Sequence, residues 1–312
     1  MSRLTRRDFI IGSAAGAAVL GSRGLLAPTA AAAQQPADMT IARWSGQQNL
    51  SSQQLKEAAI KLTEQAIAGL GGLQRFVKRG DVVWVKPNIG WDRTPEQAAN
   101  TNPDVVATLV KLCFDAGAKA VKVGDNPCDI AAKTYVSSGI AAAVKPLGAE
   151  VLFLDKTRFK ETAIKGEKVK SIPIFPAILE CDLVINVPIV KHHRLATSTL
   201  CMKNYMGVIE KRNVFHQDMP ICLADLTRFM RPRICILDGI RILKNNGPKG
   251  GNLADVETKL ALAAGTDIVA LDAWGAELMG NKPSDVGSIV KGQEVGLGRI
   301  DYRSLAKEIA VS

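Results

Sequence analysis

Short apolar runs alternate with longer amphipathic stretches along most of the chain. The apolar runs, each ending in polar or charged groups, predict buried strands at residues 81–85, 120–123, 150–154, 182–187, 233–237 and 259–264. Apolar residues at helical spacing predict helices at residues 51–70, 103–116, 138–147, 176–181, 220–229 and 267–279. Weaker patterns predict a strand at 167–174, a helix at 197–208 and a final helix at 302–310.

The predicted strands are apolar throughout rather than alternating between apolar and polar residues. Strands of this kind, separated by helices, are typical of a parallel sheet that is covered on both faces. We therefore predict an α/β fold with a mostly parallel sheet and helices on both faces. The strand at 167–174 would belong to a small second lobe outside this sheet. The polar residues 34–50 predict a linker, and residues 51–312 predict a single domain.

The first 33 residues have the features of an export signal. Thr5-Arg6-Arg7-Asp8-Phe9-Ile10 resembles the twin-arginine signal of bacteria, and an apolar stretch rich in alanine and glycine follows it. Ala31-Ala32-Ala33 is a small-residue cleavage site. The resemblance implies export by the twin-arginine translocase, in a folded state, to the periplasm. An ordinary signal peptide is the alternative.

The net charge and the apolar content of the chain limit the kinds of ligand and surface that it is expected to bind. The net charge is +10, and it is +7 without the first 33 residues, which hold four arginines and one aspartate. This excess is spread along the chain with no run of lysine or arginine, so the sequence favours an anionic small molecule over nucleic acid. After the signal, no apolar stretch reaches the ~18 residues of a membrane helix, so no permanent membrane span is expected.

The six cysteines exclude a common redox cofactor. They are far apart, none forms a CxxC pair, and no iron–sulfur cluster is expected.

All three histidines follow one predicted strand, residues 182–187. His192 and His193 come directly after it, and His216 comes later. In open parallel sheets, ligands bind at the carboxyl ends of the strands, so we expect a site here. His192 and His193 are neighbours and point opposite ways in an extended segment, and we favour His193 as the one that faces the site.

The polar groups at the strand ends predict the site residues. We expect His193, Lys203 and His216 to carry the chemistry, with His193 and His216 also able to hold a metal ion. Lys203 can act as a base, a covalent tether or an anion anchor. A helix over 197–208 would place Thr199, Lys203 and Gly207 on one face. The expected cofactor-binding residues are Lys86, Asn88, Asp125, Lys191, Asn204, Gly207 and Asp238. The alternative is that the histidines and lysines are simply solvated.

Several motifs resemble one family in their order along the chain. They are Val85-Lys86-Pro87-Asn88, Thr101-Asn102-Pro103, Asn186-Val187-Pro188 with Lys191 and His193, Met202-Lys203-Asn204-Tyr205-Met206-Gly207, His216, Asp238-Gly239, Gly247-Pro248, and Ala264-Gly265-Thr266-Asp267 with Asp272. Together they resemble the domain of unknown function 362 family over roughly residues 81–280. Many members of that family carry a ferredoxin-like four-iron module, whose cysteines this chain lacks.

A more remote similarity is to the N-terminal region of the nickel-pincer lactate racemases. In that family a histidine is followed ten residues later by a lysine that tethers the cofactor, and then by a histidine that binds nickel. His193, Lys203 and His216 match this order, although the residues around Lys203 differ from the Gly/Ser-rich pattern. The similarity implies a nickel-pincer-like cofactor or a metal ion.

Three functions remain open from the sequence. The first is an exported enzyme or cofactor-binding protein with a His/Lys site at the strand ends, whose reaction would be metal- or cofactor-assisted proton or hydride transfer on a small acid. The second is a non-catalytic periplasmic accessory protein of a redox system that binds an anion or a metal. The third is a structural partner of a redox complex that has lost its iron–sulfur function.

Overall fold

The structure, a computed structural model, describes residues 37–312. The twin-arginine signal predicted at residues 1–33 lies outside the described residues. Residues 37–312 belong to one compact unit.

The described residues contain twelve strands. In chain order they are β1 (Met39–Trp44), β2 (Val82–Pro87), β3 (Ala120–Val123), β4 (Glu150–Val151), β5 (Lys160–Ala163), β6 (Ser171–Ile174), β7 (Leu183–Val187), β8 (Ile189–His193), β9 (Thr197–Thr199), β10 (Ile234–Leu243), β11 (Val256–Gly265) and β12 (Ala306–Val311).

The same residues contain nine α-helices. They are α1 (Ser52–Gly69), α2 (Pro103–Asp115), α3 (Ala131–Ser137), α4 (Ile140–Val144), α5 (Pro176–Leu179), α6 (Cys201–Asn204), α7 (Met219–Met230), α8 (Ile268–Leu278) and α9 (Gly287–Glu294). Short 3₁₀ turns join several of them. No helix in this part of the chain is both long and apolar enough to span a lipid bilayer.

The main sheet is mixed but mostly parallel, as predicted. Its order is β12-β1-β11-β10-β7-β2-β3-β4, and β8 and β9 extend it beside β10. Strands β10, β7, β2, β3 and β4 run parallel to one another, whereas β11 is antiparallel to both β10 and β1. Strands β5 and β6 form a separate antiparallel hairpin. This hairpin lies where the sequence predicted a small second lobe.

Successive residues of the central strands pack into two different cores. In β10, Ile234 and Ile236 belong to the core beneath α1 and α2, whereas Cys235 and Leu237 belong to the core beneath α7 and α8. Side chains alternate between the faces of a strand. Both faces are therefore buried, which explains why the strands are apolar at every position.

Side-chain caps fix the starts of α1 and α2, the two long helices that cover one face of the sheet. Ser51 and Gln54 form a reciprocal capping box at α1. Asn102 accepts from the backbone N–H of Asp104, and Pro103 begins α2. Asn102 is therefore the N-cap of α2.

Three local predictions are wrong. The linker predicted at residues 34–50 contains β1, a buried strand between β11 and β12. The helix predicted at 302–310 is instead largely β12, which pairs in parallel with β1, so tertiary pairing overrides the helix propensity of alanine, lysine and glutamate. The helix predicted at 197–208 begins as β9, whose β-branched residues pair with β8, and becomes helical only at Cys201.

Candidate functional site

A cavity of about 370 Å³ lies beyond the carboxyl ends of β2 and β3, beside β8 and β9. This is where an open parallel sheet places its ligands. Its lining includes the candidate residues Asn88, Asp125, Lys191, His193, Lys203, Asn204, Gly207 and His216. Residues that are far apart in the sequence therefore meet around one hollow. Its volume suits a small molecule.

Asp125, which lines the cavity, forms a buried ion pair with Lys86, which does not line it. Lys86 Nζ lies 2.7 Å from Asp125 Oδ1, and neither side chain is accessible beyond a few per cent. Asp125 Oδ2 accepts from the backbone N–H of Ile89 at 2.7 Å, so both carboxylate oxygens have partners. Burial lowers the pKa of Lys86, and the Asp125 carboxylate opposes this change. The pair fixes β2 against the loop that follows β3.

Gly207 packs directly on this ion pair. An ideal Cβ at Gly207 would lie 1.7 Å from Asp125 Oδ1 and 2.6 Å from Lys86 Nζ. The carbonyl of Gly207 also accepts from the backbone N–H of Asn126 at 2.9 Å. The chain passes too close to the ion pair at this point for any side chain.

Asparagine amides connect the strand ends by hydrogen bonds. Asn88 Nδ2 donates to Asn204 Oδ1 at 3.1 Å, and Asn204 Nδ2 donates to Asn186 Oδ1 at 2.8 Å. Lys191 Nζ donates to Asn88 Oδ1 at 2.9 Å and to the carbonyl of Ala99. Because each amide both donates and accepts, the network holds one orientation of every group. Asn204 and Asn88 therefore position the wall that carries Lys191.

Two lysines on the cavity have lowered pKa values. Burial lowers the pKa of Lys191 to about 7, and the charge on Lys203 acts in the same direction. Burial lowers the pKa of Lys203 to about 8. Lys203 Nζ donates to Met206 Sδ at 3.8 Å. Among residues 37–312 this amine has no oxygen acceptor. Lys203 is therefore the lysine whose amine is left for a ligand.

His193 is neutral and presents a donor to the cavity. Its Nδ1 accepts from the backbone N–H groups of Leu195 and Ala196, each at 3.1 Å. Nδ1 therefore cannot carry the proton, which must be on Nε2. Burial lowers the pKa of His193 to about 3, and the charges on Lys203 and Lys191 add to the effect.

Of the other two histidines, His216 lines the cavity and His192 does not. His192 contacts Gly247, its Nδ1 accepting from the Gly247 N–H at 3.1 Å, and it does not line the cavity. His216 is exposed and lines the cavity with His193.

Asp238, an expected cofactor-binding residue, is placed elsewhere. Its carboxylate accepts from the backbone N–H of Asn102 at 2.8 Å and from that of Ile240 at 2.9 Å. The predicted strand ended before Asp238, but β10 continues to Leu243, so this residue lies inside the sheet. Burial raises the pKa of Asp238 to about 6. The structure gives it a role in joining β10 to the start of α2.

Several residues of the cavity were not expected from the sequence. Among them, Arg194 and Arg212 add positive charge, and Cys128 adds an exposed thiol. Arg212 Nε donates to the carbonyl of Met206 at 3.0 Å, and its Nη1 donates to Cys128 Sγ at 3.0 Å. Cys128 and Arg194 lie on loops and Arg212 begins a short 3₁₀ turn, where periodicity gives no signal. The only available hint was their closeness in sequence to the motifs.

The cavity is strongly cationic. Lys191, Lys203, Arg194 and Arg212 line it, and Asp125 is the one carboxylate among the described lining residues. The charge of Asp125 is already balanced by Lys86. Cations collected in a partly closed hollow attract and hold anions.

The same groups do not fit a metal ion. Within residues 37–312, no three His, Cys, Asp or Glu side chains come close enough together to hold one. His193 carries its hydrogen on Nε2, so that nitrogen has no free lone pair for a metal. The surrounding ammonium and guanidinium groups would also repel a cation. The donor set is that of an anion site rather than of a bare metal ion.

Comparison with known proteins gives three similarities. The family described as "Domain of unknown function (DUF362)" matches residues 83–277. The thylakoid-associated protein sll1697 of Synechocystis sp. (strain ATCC 27184 / PCC 6803 / Kazusa) is 27% identical over 238 residues, which cover 73% of this chain and 72% of that protein.

Among solved structures, the lactate racemase apoprotein from Thermoanaerobacterium thermosaccharolyticum aligns with a TM-score of 0.47 and 12% identity. The alignment covers 78% of this chain and 56% of that one, so the chain spans a little over half of that protein's length. The family match covers more than half of the chain and includes the strand ends, the lysines and His193. The chain therefore belongs to the DUF362 family.

Proposed function

We propose that this chain is an enzyme that binds a small organic acid as its anion in the cavity and exchanges a proton with it through Lys203. The observation that carries the proposal is the amine of Lys203, whose hydrogen-bond partner among the described residues is the weak acceptor Met206 Sδ. The amine faces a cationic cavity and has no oxygen acceptor among the described residues.

The surrounding groups divide the work of binding. Arg194 makes no ion pair or hydrogen bond within residues 37–312, and the guanidinium of Arg212 is held by neutral acceptors, so both charges remain for an anion. His193 supplies a neutral Nε2–H donor beside them. These donors hold the carboxylate and leave the amine of Lys203 next to the rest of the acid.

The pKa of Lys203 suits proton transfer. At about 8 it allows a useful fraction of neutral amine near neutral pH, and a neutral amine accepts a proton. When the amine is protonated, it returns the proton to the same ligand. His216, exposed at the cavity, is the remaining candidate for passing that proton to solvent.

Lys203→Met tests the proposal. We expect the affinity for glycolate, a small carboxylate probe, to fall by about 10- to 100-fold, the value of one charge-assisted hydrogen bond. Isothermal titration calorimetry measures this change. Lys119→Met is the matched control, because Lys119 is exposed and lies before β3, at the opposite end of the strand.

A second readout separates the enzyme from a non-catalytic accessory protein. We expect the wild type, but not Lys203→Met, to exchange the carbon-bound hydrogens of glycolate or a related small acid with deuterium from solvent, observed by NMR. Binding without exchange for every small acid tested supports the accessory protein. Unchanged glycolate affinity in Lys203→Met rejects the role of Lys203.

We also propose that the protein is exported to the periplasm by the twin-arginine translocase. The support is the sequence Thr5-Arg6-Arg7-Asp8-Phe9-Ile10 and the cleavage site at Ala31-Ala32-Ala33. The intact mass of protein purified from a periplasmic fraction tests this. A chain that still carries residues 1–33 and stays in the cytoplasm contradicts it.

A further inference from the structure

Cys128 has a chemical setting that anion binding alone does not explain. All six cysteines lie in the described residues, and Cys128 is the exposed one, whereas Cys113, Cys201, Cys222 and Cys235 are buried and Cys181 is half-buried. Burial raises the pKa of Cys113 to about 12 and that of Cys181 to about 11, so these thiols are poor nucleophiles at neutral pH. Cys128 alone combines access with a place on the cavity.

The surroundings of Cys128 are electropositive. Arg212 Nη1 donates to its Sγ at 3.0 Å, and Lys203 and Lys191 line the same hollow. Reactive cysteines are typically found in partly exposed, positively charged settings of this kind. The backbone N–H of Cys128 donates to the carbonyl of Gly90 at 2.8 Å, which fixes the residue at the cavity wall.

A second feature points to a ligand independently of the thiol. The side chain of His193 is more than nine-tenths buried and lines the same cavity. Its Nδ1 accepts from two backbone N–H groups, and its Nε2 has no hydrogen-bond partner within residues 37–312. An unpaired buried donor costs free energy unless something satisfies it. A neutral donor beside a set of cations matches a ligand with a neutral oxygen as well as a carboxylate.

We propose that Cys128 is a nucleophile that adds reversibly to the carbonyl group of a carbonyl acid, an aldehyde or ketone that also bears a carboxylate, bound in this cavity. This inference rests on the anion site proposed above and names its substrate class. Cations hold the carboxylate, and the Nε2–H of His193 is the donor for the carbonyl oxygen.

The step balances without any other reactant. The sulfur of Cys128 forms a bond to the carbonyl carbon, the π bond of the carbonyl breaks, and its electron pair moves to the oxygen. The proton released by the thiol ends on that oxygen, which gives a thiohemiacetal or thiohemiketal. Nothing is oxidised or reduced, and the reverse reaction restores the thiol and the carbonyl.

A comparison of two acids tests the proposal. Glyoxylate and glycolate share a carboxylate and a similar size, but only glyoxylate has a carbonyl group that a thiol can attack. We expect the wild type to bind glyoxylate at least ~10-fold more tightly than glycolate by calorimetry. In Cys128→Ser we expect this preference to disappear, so that glyoxylate and glycolate bind with similar affinity. Cys181→Ser is the matched control and should keep the preference.

The outcomes separate this inference from the anion site. Glycolate binding with no preference for glyoxylate rejects the thiol addition and leaves the anion site standing. A preference that persists in Cys128→Ser also rejects it, because the carbonyl then reacts with another group, such as the amine of Lys203. If neither acid binds to the wild type, both proposals fail.

Discussion

Gly207→Ala is expected to destabilise the protein by about 3–5 kcal/mol and to abolish anion binding. The added methyl group would lie 1.7 Å from Asp125 Oδ1, so either the ion pair separates or the turn after α6 moves. Both changes are costly because Lys86 and Asp125 are fully buried and separation leaves two unpaired charges. Either change also displaces a residue that lines the cavity, Asp125 or Gly207. Urea denaturation followed by circular dichroism gives the free energy of unfolding.

The control for this prediction is Gly148→Ala. A Cβ at Gly148 would meet nothing within 4 Å, and the residue has a φ of +86°. Its substitution should cost only the backbone strain of a left-handed residue, about 1–2 kcal/mol. If Gly207→Ala costs no more than Gly148→Ala, the close approach to the ion pair does not exist.

Asp125→Asn is expected to destabilise the protein by a similar amount, about 3–5 kcal/mol at pH 7. The change removes the counter-ion of Lys86 and leaves a buried ammonium group without compensation. The oxygen of asparagine can still accept from the N–H of Ile89. The decrease in the free energy of unfolding therefore comes from the lost negative charge and not from a change in side-chain shape.

The destabilisation of Asp125→Asn should shrink as pH rises. Burial already lowers the pKa of Lys86 below its unfolded value of 10.5, and loss of Asp125 lowers it further. Between the folded and unfolded pKa values the unfolded chain binds more protons, so the free energy of unfolding rises with pH. Asp115→Asn is the control, because Asp115 pairs with Lys111 on the exposed surface and its loss should change stability little. An Asp125→Asn protein as stable as the wild type contradicts the account.

The strand ends were the part of the site that the sequence could predict. Lys86, Asn88 and Asp125 directly follow apolar runs, and parallel pairing brings such positions to one edge of the sheet. Lys191 and His193 followed from the same rule. The rule placed Asp238 wrongly because β10 continues past the polar residue, with an irregularity in its pairing between Gly239 and Arg241. Periodicity cannot show where a strand continues through a buried carboxylate.

Other features depend on contacts that no local pattern records. Arg212 and Cys128 are 84 residues apart in sequence and meet only because two loops cross at the cavity. The strand β1 lies among polar residues, and its burial comes from pairing with β11 and β12 at the far end of the chain. The tautomer of His193 follows from two backbone N–H groups placed by the turn before β9. That tautomer is what separates an anion site from the metal site that the histidine spacing favoured.

The pH dependence of glycolate affinity tests whether the protonated amine of Lys203 holds the anion. Lys203, with a pKa of about 8, binds an anion when protonated and loses that charge as pH rises. We predict that calorimetry shows tight binding at pH 6 and an affinity about 30-fold lower at pH 9.5, by proton linkage at one lysine. Loss of the Lys191 charge, at a pKa of about 7, adds to the decrease. An affinity that stays constant from pH 6 to pH 9.5 would contradict the claim that the ammonium group of Lys203 holds the anion.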